Sequence, residues 1–123
     1  MKEVIAIVRP KKVGPTRNAL VELGFPGMTA TAVLGRGRQR GIAGEVNFID
    51  GAKEKGEQPK SGMKYIPKRM LSVIVPSGDV KAVINAIIKV NQTGQIGDGK
   101  VFVCPIEDAL RVRTGEQGEK AVL

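Results

Sequence analysis

The sequence predicts an α+β sandwich of order β-α-β-loop-β-α-β: an antiparallel sheet with two helices on one face. Three observations carry the prediction. Four short runs rich in Val, Ile and Thr are bounded by Pro and Gly. Two intervening stretches place apolar residues at helical spacing. A long segment rich in Gly and charge separates two β-α-β halves.

Residues 3–9 (Glu-Val-Ile-Ala-Ile-Val-Arg) read as a buried strand that Pro10 ends. Pro15 suits a first helical turn, where its missing N–H is not needed. Ala19, Leu20 and Leu23 supply an apolar face and Gly24 a stop, so the first helix spans about 13–23. Residues 28–34 form the second strand and 69–75 the third, closed by Pro76. Ser77 or Asp79 can cap the next helix. In that helix Val80, Val83, Ile84, Ile87 and Ile88 fall at i, i+3, i+4, i+7 and i+8, an amphipathic stripe. A Gly-rich turn at 93–99 precedes a fourth strand, Val101-Phe102-Val103-Cys104, and the tail 106–123 allows a short helix or extra strand. This order is the ferredoxin-like arrangement, here one domain over 1–123 with its long loop at about 36–66.

Composition narrows the chemistry. The 20 Lys and Arg against 12 Asp and Glu leave a formal charge of +8, which suits anionic partners. No His is present, removing the usual general base and the commonest metal ligand, so an enzyme is not expected. The lone Cys104 excludes an internal disulfide and fits a reducing, cytoplasmic setting. No apolar run is long enough to span a membrane, so no membrane insertion is expected. Aromatics are too few for the base-stacking strands of an RNA-binding module of this topology. Phe102 alone sits in a suitable strand, so that reading is a remote alternative and no nucleic-acid partner is expected.

Several segments suit anions, and each also has a plainer reading. Gly94-Gln95-Ile96-Gly97-Asp98-Gly99-Lys100 fits G-x-x-x-x-G-K. However, Val101 stands where a P-loop needs Ser or Thr, and the order helix-turn-strand is reversed. Its backbone N–H groups can still form an anion nest, with Lys100 beside it. Alone, it reads as a tight turn. Arg111 and Arg113 share one side of an extended segment, as a polyphosphate would require, or else a solvated edge. Gly35-Arg36-Gly37-Arg38-Gln39-Arg40-Gly41 can wrap an anion, and equally can be a basic linker or an RNA-binding stretch. Lys68, at the far side of the loop, alone reads as a surface lysine.

Together these segments say more. Thr93–Val103 followed by Pro105–Glu116 closely resembles the C-terminal signature of the PII signal-transduction family. Gly35–Gly41 resembles the start of that family's T-loop and Tyr65-Ile66-Pro67-Lys68 its end. The resemblance implies a trimer of ferredoxin-like subunits, as a homotrimer or mixed with a paralogue, binding ATP or ADP between subunits. By motif, Gly97, Asp98, Gly99 and Lys100 would hold phosphates, joined by Arg111 and Arg113. Thr29 and Ile74 would meet adenine, and Gly35, Gly37 and Arg38 would line the loop base. Gln39 would ligate Mg together with ATP and 2-oxoglutarate, and Lys68 would pair with a 2-oxoglutarate carboxylate. A 2-oxo acid chelates Mg through its keto oxygen and adjacent carboxylate, leaving its far carboxylate in need of a cation. The family's uridylylated Tyr position holds Ser61 here. The extended loop is similar to that of the nitrogenase-linked subfamily, in its longer-loop paralogue. This implies nitrogenase as the target, the alternative being an ammonium channel or a nitrogen-metabolism enzyme.

Overall fold

The computed structural model describes residues 1–37 and 65–123. Arg38, Gln39, Ser61 and most of the predicted loop lie outside these residues. Four strands and two helices follow in the expected order: β1 (Lys2–Val8), α1 (Val13–Glu22), β2 (Thr29–Gly35), β3 (Ile66–Val75), α2 (Val80–Asn91) and β4 (Lys100–Pro105). The sheet runs β2-β3-β1-β4, antiparallel throughout.

Alternation decides which residues make the core. Val4, Ala6 and Val8 of β1 and Leu71, Val73 and Val75 of β3 are buried against Leu20, Val83 and Ile87 of the helices. The residues of opposite parity lie on the face without helices. There Ile5 opposes both Ser72 and Phe102, and Phe102 is half exposed.

α2 has most of the predicted stripe: Val83 and Ile87 are buried and Val80 and Ile84 pack partly against the core, whereas Ile88, at the edge of the stripe, is 43% exposed. α1 departs from expectation. Its buried residues are Thr16 and Leu20, one helical turn apart, while Leu23 lies past the helix end and is largely exposed. Burying the Thr16 hydroxyl is tolerable because it is bonded on both sides. It donates to Lys12 O at 2.7 Å and accepts from Asn91 Nδ2 at 3.0 Å, tying α1 to α2. Gly24, with φ +95°, ends this segment as its sequence suggests.

Two boundaries shift for physical reasons. β3 begins at Ile66 rather than 69, because Leu34 and Gly35 pair with Pro67 and Ile66 and carry the ladder up to the loop. Neither Ser77 nor Asp79 caps α2 with its side chain. A 3₁₀ turn over Ser77–Asp79 runs straight into the helix, so Asp79 has αR angles instead of the extended ones a side-chain cap requires. The Ser77 hydroxyl instead accepts from the Met1 ammonium at 3.2 Å. The tail closes as a small hairpin, with Leu110 bridged to Gln117, followed by a 3₁₀ turn at Gly118–Ala121.

Candidate anion-binding site

The root of the β2–β3 hairpin, the end of β1 and the turn 93–99 meet at one end of the sheet. They enclose a cavity of about 500 Å³. Its walls bring together Gly35, Gly37, Lys68, Gly97, Gly99 and Lys100 from segments far apart in the chain.

Close approach dictates glycine at one of these positions and makes a second tight. At Gly99, φ is +109° and a Cβ would stand 1.8 Å from Ile7 O, so only Gly lets the turn lie against β1. At Gly35, a Cβ would meet Lys68 Cγ at 3.3 Å. The Lys68 stem lies across this gap, and the residue is 7% exposed. Its ammonium donates to Gly97 O at 2.7 Å. Lys68 is thus a buried cation on the cavity wall rather than a solvated lysine.

Asp98 organises the turn. Its carboxylate accepts from Thr93 N at 2.7 Å, Gly94 N at 2.9 Å, the Thr93 hydroxyl and Arg9 Nη1 at 2.8 Å. The Thr93 hydroxyl bond, with Arg9 and the Thr93 and Gly94 amides, outweighs burial and holds this carboxyl well below the usual range. Asp98 therefore shapes the turn that presents Gly97, Gly99 and Lys100, and its oxygens are satisfied by protein donors.

Arg9 was missed from sequence. It is 6% exposed, and besides Asp98 it bonds Ile96 O at 3.1 Å. The available signal was a cation ending an otherwise apolar strand just before Pro10, which carries no motif.

Other predicted residues lie away from the cavity within this chain. Thr29 and Ile74 sit toward the opposite ends of β2 and β3, paired in register with Ser72 and Glu3. Arg111 is engaged in the tail, donating to Glu116 Oε1 at 2.7 Å and to the Lys120 and Leu123 carbonyls at 2.9 Å. Arg113, on the same tail, is exposed.

A family profile described as nitrogen regulatory protein P-II matches residues 1–116. The chain belongs to the P-II family. Nitrogen fixation nifHD region GlnB-like protein 2 of Methanobacterium ivanovii is 59% identical over 123 residues, the whole of both chains. The protein of the same description from Methanococcus maripaludis is 57% identical, covering 99% of this chain and 100% of its own. A crystal structure of Arabidopsis thaliana PII bound to citrate superposes with a TM-score of 0.74 at 36% identity, covering 98% of this chain and 88% of that one. Both the family resemblance and the ferredoxin-like fold read from sequence agree with these findings, and a regulatory role in nitrogen metabolism follows. Among the described residues of this P-II protein, no helix is long and apolar enough to cross a membrane.

Proposed function

We propose that this P-II protein is a cytoplasmic, non-enzymatic sensor. It binds ATP or ADP at this cavity, and 2-oxoglutarate there together with Mg-ATP, and controls a target, nitrogenase foremost, through the segment between β2 and β3. The carrying observation is the cavity itself: a glycine-built turn preset by Asp98, with Lys68 and Lys100 on its walls. A backbone turn with adjacent cations is the chemistry a polyphosphate needs.

Lys68 fits the far carboxylate of 2-oxoglutarate. Its buried ammonium, bonded to Gly97 O, stands on the cavity wall as the cation such a carboxylate needs. Magnesium fits as a guest of the ligands. Among the described residues there is no cluster of three or more His, Cys, Asp or Glu. The ion would therefore draw most of its oxygens from ATP and the 2-oxo acid, with Gln39, outside the described residues, completing the set.

The relatives' nif-region names support nitrogenase as the target. Assembly into a trimer, homomeric or mixed with a paralogue, is part of the same reading. Thr29, Ile74, Arg111 and Arg113 lie off the cavity in one chain, and a nucleotide held between subunits would meet them on a neighbouring copy. The helix-free face, carrying Ile5 and the half-exposed Phe102, is apolar enough to be covered by such copies.

Calorimetric titration of 2-oxoglutarate with and without Mg-ATP tests the reading, with binding expected only when Mg-ATP is present. Lys68→Ala should lose 2-oxoglutarate and retain ATP. A wild-type protein that binds 2-oxoglutarate under neither condition, or a Lys68 variant that loses both ligands or neither, counts against it.

A further inference from the structure

Arg36 was not among the residues assigned to the site, yet it lines the same cavity as Lys68 and Lys100. The last register pair of the β2–β3 ladder is Gly35 with Ile66. One residue further out on each side, Arg36 and Tyr65 meet across the hairpin root. The guanidinium carbon lies 5.9 Å from the centre of the Tyr65 ring, within reach of a cation–π contact. Tyr65 is 53% exposed and is not one of the residues that line the cavity.

The chemistry of this pair differs from that of the lysines. A guanidinium is a planar fork that matches two phosphate oxygens at once, whereas an ammonium is a point charge. A guanidinium carries its N–H donors in its plane, and the Tyr65 ring beside it is one contact that bears on where the fork sits. Arg36 enters from the hairpin root, whereas the backbone turn and Lys100 enter from β4, so the two reach different parts of a ligand. A γ-phosphate adds negative charge to the nucleotide, and an added cation favours the more highly charged ligand.

We propose that Arg36 contacts the terminal phosphate of the bound nucleotide and raises the preference for ATP over ADP, and that Tyr65 is the positioning residue that holds its guanidinium in place. The inference rests on the nucleotide reading above.

The test uses the full chain and measures ATP and ADP dissociation constants by calorimetry. Arg36→Gln should weaken ATP roughly tenfold or more and ADP by less, lowering the ATP-to-ADP ratio. Arg36→Lys, which keeps the charge without the fork, should fall between that variant and wild type. Tyr65→Leu should weaken ATP about two- to fivefold, whereas Tyr65→Phe, which keeps the ring face, should bind like wild type. Tyr65 is the sole tyrosine and there is no Trp, so the chain's intrinsic emission reports this one ring. ATP should change that emission in wild type and leave it unaltered in Arg36→Gln. An unchanged ATP-to-ADP ratio in Arg36→Gln, or equal behaviour of the two Tyr65 variants, overturns the inference while leaving the nucleotide reading intact. A wild-type protein that binds neither nucleotide overturns both.

Discussion

Replacing Asp98 by Asn removes a charge while nearly preserving shape, and the geometry dictates the cost. One carboxylate oxygen takes the Thr93 and Gly94 amides, and the other takes the Thr93 hydroxyl and Arg9. An Asn side chain has one acceptor oxygen, so its NH₂ must face one of these donor pairs. If it faces the amides, two charge-assisted bonds are lost, each worth about 1.5–3 kcal/mol before water replaces part of them. If it faces Arg9, a guanidinium only 6% exposed meets an NH₂ donor in place of an acceptor, which costs more. The expected net loss is about 2–4 kcal/mol. It would be read as a lower urea midpoint at unchanged m-value and fixed protein concentration.

The effect has a pH signature. The folded-state pKa of Asp98 is depressed, so its contribution is complete above the unfolded value of about 3.9 and is lost as pH falls through the folded value. The wild-type advantage should thus hold at about pH 5 and shrink only below about pH 4. The same variant should bind ATP more weakly, because the turn loses its shape. A carboxylate touching phosphate directly would have the opposite effect, since removing it would strengthen binding. A stability change under about 0.5 kcal/mol at neutral pH, or tighter ATP binding, would refute the reasoning.

Gly99→Ala must displace the turn from β1 and should cost at least about 2–3 kcal/mol in urea denaturation. Gly115→Ala, with φ +74° but open space around it, should cost only about 1 kcal/mol. Arg113→Ala should weaken ATP about fivefold or more at unchanged stability. Arg111→Ala should in addition destabilise the tail by about 1–2 kcal/mol, because Arg111 ties Glu116 to the last carbonyls; equal stability of these two variants would contradict that division of roles. Thr16→Val deletes the hydroxyl that accepts from Asn91 and should lower stability by about 1–2 kcal/mol, seen in the same unfolding assay.

Much of this protein was legible in local pattern. The alternation of Val4, Ala6 and Val8, the stripe from Val80 to Ile88 and the Pro and Gly breaks are signals within a few residues, and they determine element type and order. The spacing around Gly97–Lys100 and Arg111–Arg113 likewise carried the family. Side-chain capping at Ser77 or Asp79 was misjudged, since a 3₁₀ turn and a capping residue have the same local composition. What only the tertiary structure decided is which polar groups meet. Arg9 and Asp98 are 89 residues apart, Lys68 and Gly97 are 29 apart, and Arg36 finds Tyr65 only because the β2–β3 register ends at Gly35 and Ile66. Periodicity specifies which face of an element is apolar. Register and strand order specify which cation comes to lie beside which carbonyl or carboxylate, and those are properties of the closed sheet.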